Sequence, residues 1–194
     1  NPVRGFSFSN DGPLDMRMDS ENIKLTAEII INEYDEKELS NIFFYYGEER
    51  NSKRIAKSIV SYRKKHKINS TKILSDIISK INNNKFKHPA TRVFQALRIF
   101  INEELNELEK ILELSLKILN KNSRIVVVAF HSLEDRIIKN FFKKNSVLQI
   151  NSLNNSNQYC DLKIITKKPV IPTKDEVKIN PRSKSAKLRV AEKQ

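Results

Sequence analysis

Four groups of polar residues have the types and spacing to do chemistry. In the first, His131 and Ser132 follow a run of β-branched residues and precede Leu133, Glu134 and Asp135. A histidine beyond the carboxyl end of a buried strand can hydrogen-bond a base or a ribose, and a helix N-terminus there favours anions. Adjacent His-Ser cannot by itself supply the nucleophile, base and orienter of a triad. Second, His88-Pro89-Ala90-Thr91-Arg92 continues through Gln95, Arg98 and Asn102. At 100° per residue the last four fall on about a third of a helix, so two guanidiniums would stand beside an amide, ready for phosphate or base edges. In the third group Arg50, Lys53, Arg54, Lys57 and Lys64 form a stripe suited to tracking phosphates, and in the fourth Arg182 lies in a basic turn. Each group also has a plain structural reading: a helix cap, a solvated face, a surface hairpin.

The opening stretch Arg4–Asp19 holds two of only three glycines in 194 residues. Asp11-Gly12-Pro13 reads as a tight turn. Phe6, Phe8, Met16 and Met18 alternate with polar residues, as in extended chain packed on one side, with Asp15 and Arg17 beside them as substrate contacts. The chain opens at Asn1 without an initiator methionine, so the reading expects further sequence upstream.

Elements must position these groups. Thr26 caps a short helix through Asn32, and Asp35 with Glu38 is a capping box for a second helix that Gly47 ends. A third helix is expected from about Glu48 to Lys65, and a fourth from Ser70 or Thr71 to Asn82, with a loop at residues 82–84. From Pro89, apolar residues every three or four positions predict one long helix to Leu119. Arg124–Phe130 predicts a strand buried on both faces of a parallel sheet. Ser132 and Asp135 then read as caps of a helix ending near Lys144, residues 145–161 as a polar loop, and Leu162–Thr166 and Ser185–Ala191 as strands. In the last strand Ala186, Leu188 and Val190 alternate against Lys187 and Arg189. The whole is α/β, with a helical block ahead of a sheet.

Composition narrows the function. The net charge of +13 and pI near 9.8 point to a polyanion partner. The longest clean apolar run, Ile125–Phe130, is far short of a membrane span, and the first residues do not read as a signal peptide. Single Cys160 and three scattered histidines give no metal cluster, and no glycine-rich phosphate loop occurs.

Taken together, Arg4–Asp19, Tyr46–Arg50 with Lys53–Ala56, His88–Ile99, Asn102–Leu105, Phe130–Arg136 and Asn180–Lys193 resemble the MraW-type ribosomal small-subunit RNA (cytosine-N4)-methyltransferases. The resemblance implies the C-terminal part of a Rossmann-like class I methyltransferase domain with an inserted all-helical domain. Residues 1–19 would be a connecting ribbon, 20–86 the RNA-recognition insertion, and 87–194 the C-terminal half of the catalytic domain. The implied activity is S-adenosylmethionine-dependent N4-methylation of a cytosine in the decoding region of 16S rRNA, in the cytoplasm, on rRNA or the assembling 30S subunit, with a homodimer left open. Cofactor contacts are expected upstream of Asn1, so these residues alone should be inactive. His131 is the candidate nearest the target, and no proton acceptor is assigned. Alternatives are a non-catalytic RNA-binding module derived from such an enzyme, and a methyltransferase acting on DNA.

Overall fold

Local capping sets the first helix starts. Thr26 Oγ1 accepts from the Ile29 N–H and opens α1, Ala27–Glu33. Asp35 and Glu38 exchange hydrogen bonds of 2.7 and 2.8 Å, the reciprocal capping box of α2, Glu36–Gly47. Next comes α3, Ser52–Arg63, and Ser70 caps α4, Thr71–Ser79. The computed structural model describes residues 2–8, 10–82, 88–146, 149–150 and 158–194. It separates into two units, Asn1–Glu104 and Leu105–Gln194, whereas the resemblance implied divisions at 19/20 and 86/87.

In the first unit, Phe43, Ile30, Ile31, Leu39, Ile55, Ile59, Leu74, Ile78 and Leu97 are fully buried together. Burying each such side chain is worth about 1.5–3 kcal/mol before chain entropy is counted. The ribbon is not the expected extended strip. Met16 adopts φ 63° and is buried, whereas Met18 is 55% exposed. The chain instead straps two helix starts. Leu14 and Asp15 carbonyls accept from the Glu28 and Ala27 N–H groups of α1, and Gly12 O and Asp11 Oδ1 accept from Thr71 and Lys72 of α4. Those donors are ones a helix cannot satisfy internally.

The single helix expected from Pro89 to Leu119 is two: α5, Thr91–Ile101, and α6, Glu104–Ile118. Glu103 between them has φ 48°. Asn102 stabilises the break, taking the Met18 N–H on Oδ1 and giving Nδ2 to the Met16 and Arg98 carbonyls. The apolar stripe accordingly divides, Phe94, Leu97 and Ile101 entering the first core and Leu112 the second.

The second unit joins α6 to β1 (Arg124–Ala129), α7 (Ser132–Asn145), β2 (Gln149–Ile150), β3 (Gln158–Tyr159), β4 (Leu162–Ile164), α8 (Lys174–Ile179) and β5 (Lys187–Lys193). β5 lies between β1 and β4 and is antiparallel to both, with Val126 opposite Val190 and Lys163 opposite Glu192. This corrects the expected doubly buried strand in a parallel sheet. Ile125 and Ala129 are buried with Leu112, Ile138 and Phe142, but Val126 and Val128 are 56% and 47% exposed on the other face. A run of β-branched residues specifies a strand, not the direction or number of its neighbours. The alternation expected in the last strand is also reversed: Arg189 and Ala191 face inward. The loops expected at residues 82–84 and 145–161 fall partly outside the described residues, and within the second β2 pairs with β3.

Candidate nucleic-acid interface

Helix α3 carries the clearest surface. No acidic residue occurs between Glu49 and Asp76, a span containing nine lysines and arginines. Ile55, Ala56 and Ile59 bury one side of α3, which turns Lys53, Arg54 and Lys57 outward, with Arg50 before the helix and Lys64 after it also exposed. Among the described residues these five form no ion pair with a carboxylate. Two further cations of the span are used inside the fold. Arg63 donates to the Ile31 and Tyr34 carbonyls at the end of α1, and Lys67 pairs with Glu28 at 2.7 Å.

The stripe expected along α5 does not form a fork of two guanidiniums. Arg92 is exposed, but Arg98 makes a two-pronged contact with Glu104 at 2.7 and 2.8 Å. Gln95 Nε2 reaches the Tyr46 carbonyl at 3.4 Å, and Asn102 is committed to the ribbon. His88 is stacked on Phe8, ring centroids 4.5 Å apart, and its Nδ1 accepts from the Ala90 N–H. Its proton therefore sits on the exposed Nε2 edge when the ring is neutral. A buried network that sequence reading missed ties the turn after α2 to Pro89. Glu49, 4% exposed, accepts from Asn51 N and Asn82 Nδ2, and Asn82 Nδ2 also reaches Pro89 O. A glutamate just past a helix end gave no signal of burial.

In the ribbon, Asp15 holds Arg17 by both oxygens, 2.7 and 2.8 Å, while Arg17 Nη1 donates to the Ser20 and Ile23 carbonyls. That guanidinium keeps the Asp15 carboxyl below the usual range despite partial burial. Asp15 and Arg17, both expected as substrate contacts, are thus paired with each other within the ribbon.

At the end of β1 the cap is His131, not Ser132 with Asp135. His131 Nδ1 accepts from the Glu134 N–H, and Glu134 Oε2 accepts from the Phe130 and His131 N–H groups. The His131 Nε2 lies 3.2 Å from Glu134 Oε1 but without hydrogen-bond alignment. Burial pushes the Glu134 carboxyl up, and the His131 ring with the two N–H donors outweighs it, leaving the group below its ordinary value. Asp135 instead accepts from Arg189 Nε at 2.7 Å and Lys187 Nζ at 3.1 Å. Ser132 is exposed, as is Arg182 in the 3-10 turn Pro181–Ser185.

All three glycines have structural duties, two of them in close packing. A Cβ on Gly5 would come 2.2 Å from Pro13 O, and one on Gly47 would come 2.6 Å from Arg92 O. Gly12 is held by Asp11 and Thr71. No glycine cradle for a nucleotide exists among the described residues. None of the helices described is long and apolar enough to cross a membrane.

The sequence profile of the MraW methylase family matches residues 1–194. Three proteins named ribosomal RNA small subunit methyltransferase H are similar. That of Sulfurihydrogenibium azorense is 49% identical over 192 residues, covering 97% of this chain and 61% of the relative. That of Carboxydothermus hydrogenoformans is 48% identical over 200 residues, covering 100% and 64%. The Rickettsia canadensis protein is 51% identical over 196 residues, covering 97% and 63%. The chain thus spans a little under two thirds of the length of these relatives.

Proposed function

The chain belongs to the MraW methylase family, and from that premise we propose that it is the RNA-engaging part of an S-adenosylmethionine-dependent rRNA methyltransferase. The target we assign is the exocyclic N4 of a cytosine in the decoding region of 16S rRNA, reached in the cytoplasm on free rRNA or the assembling 30S subunit. The observation that carries the reading is the acid-free basic face of α3, presented by a preformed helical core to a polyanion. The order β1-β5-β4, with β5 antiparallel to both neighbours, is compatible with the edge of a larger Rossmann-like sheet, into which the helical unit would be inserted.

S-adenosylmethionine would supply the methyl group. The described residues do not fit it: Gly5 and Gly47 are closed by packing, and Gly12 already gives its N–H to Asp11 Oδ1, so none of the three can cradle a nucleotide phosphate. Cofactor capture is therefore assigned outside these 194 residues. What this chain contributes is RNA binding and orientation. Arg50, Lys53, Arg54 and Lys57 would follow phosphates, with Arg92, the Nε2 edge of His88 and Arg182 as further contacts. Ser132 and His131, at the end of β1, would lie nearest the target base, His131 through its orientation of the Glu134 carboxylate.

Two titrations test this. The chain should bind a decoding-region RNA oligonucleotide in an anisotropy assay at low salt, and calorimetry should give no S-adenosylmethionine isotherm. Absence of RNA binding would remove the reading, whereas low-micromolar cofactor binding would return the cofactor site to this chain.

A further inference from the structure

We propose that Phe44 and Tyr45 form a stacking site for an unpaired nucleobase of single-stranded RNA, beside the phosphate-tracking face of α3. The inference rests on the RNA reading above and adds a base-binding site to it.

Four aromatic residues run consecutively through α2, from Phe43 to Tyr46. Two have evident packing duties: Phe43 is fully buried in the first core, and Tyr46 meets Phe100 with ring centroids 5.6 Å apart. The other two point away from that core, Phe44 54% and Tyr45 64% exposed. Their rings meet edge to face, centroids 5.3 Å apart at 82°. A perpendicular pair leaves ring face open, and every base has a face to place on it. Exposed single apolar residues are ordinary, but two adjacent aromatics are apolar area kept in water.

The surroundings choose the occupant. Ser40 Oγ meets Ser52 Oγ at 3.3 Å where α3 begins, and Phe44 stands one helical turn beyond Ser40 on the same flank of α2. The ring is thus on the flank of α2 that meets the start of α3, where exposed Lys53 and Arg54 directly follow Ser52. A second copy of the chain docking here would bring one acid-free basic helix against another, which like charges oppose. A single-stranded polyanion answers both features, its phosphates meeting the lysines and a base meeting the rings.

The test compares a short unstructured RNA with the same RNA carrying abasic sites, titrated by anisotropy against the full chain. Wild type should prefer the base-containing RNA. Phe44→Ala with Tyr45→Ala should weaken that binding about tenfold, leave the abasic RNA unaffected and leave the salt dependence unchanged. Tyr45→Trp should retain affinity, and its indole fluorescence should be quenched on binding. An unaltered preference in the double variant overturns the stacking site. So does sedimentation showing a wild-type dimer that the double variant dissolves while RNA binding persists. Wild-type chain that binds neither RNA defeats the RNA reading itself, and this inference with it. Salt-dependent binding that ignores both rings defeats the inference alone.

Discussion

Asp135 accepts from two cations of one strand, and its titration follows from that geometry. Arg189, with Lys187 adding to it, holds the carboxyl below its ordinary value although burial opposes the shift. A carboxylate depressed in the folded state contributes stability that is present above its unfolded pKa, near ~3.9, and lost as pH falls through the folded value. Asp135→Asn should therefore cost about 3 kcal/mol at neutral pH, because it leaves Arg189 buried without its partner. The deficit should shrink in acid, where wild type loses the same charge. Urea unfolding followed by circular dichroism near pH 7 and pH 3 measures both, and equal deficits would contradict the pairing. Residues of this kind mark the limit of sequence reading. The Asp35–Glu38 box was legible because partner and donor are three residues apart. Arg98 was not, because its partner Glu104 lies beyond a left-handed residue that the helical pattern did not announce. The same is true of Arg189, whose apparent place on the outer face of a strand hid a carboxylate 54 residues away.

Where two helices touch, a glycine at the end of α2 has a second duty. It reads in sequence as a helix stop, yet Gly47 lies inside the helix and the left-handed cap is Glu48, φ 49°. The absent side chain lets the backbone of α2 approach Arg92 on α5, where a Cβ would also come 3.2 Å from the Ala96 Cβ. Gly47→Ala should force the helices apart at this crossing and cost about 2 kcal/mol, against the slight gain that alanine brings to an exposed helix interior. A melting temperature equal to or above wild type would mean that the crossing has slack. Helix starts and their buried faces were legible because both follow from spacing along one segment. The break between α5 and α6 was not, since it depends on Asn102 finding the ribbon 84 and 86 residues away. Strand orientation was hidden for a similar reason: β1 becomes antiparallel only through β5, more than fifty residues later.

The net charge of +13 is unevenly spent. Residues 1–49 contain more acids than bases, whereas Arg50 to Ser75 contain no acid. Within that span Arg63 and Lys67 are held by α1, so the surface left for a polyanion is Arg50, Lys53, Arg54, Lys57 and Lys64, with Lys65 and Lys72 exposed beyond the α3 stripe. The second unit is basic too, but much of its charge has internal employment: Lys187 and Arg189 with Asp135, Arg124 with Glu192, Lys178 with Asp175. Single-stranded RNA releases about 0.7 of a counterion for each phosphate neutralised. Lys53→Ala, Arg54→Ala and Lys57→Ala together should then lower the slope of log K against log salt by about 2. Lys174→Ala with Lys178→Ala in α8 should leave it unchanged. All three cations are exposed and make no ion pair among the described residues, so the triple variant should keep the wild-type melting temperature and the slope can be read without a folding correction. Anisotropy titrations between about 50 and 200 mM salt measure the slopes. If both variants lower the slope alike, the RNA contact is spread over the whole basic surface, and α3 loses its claim to be the face that meets the phosphates.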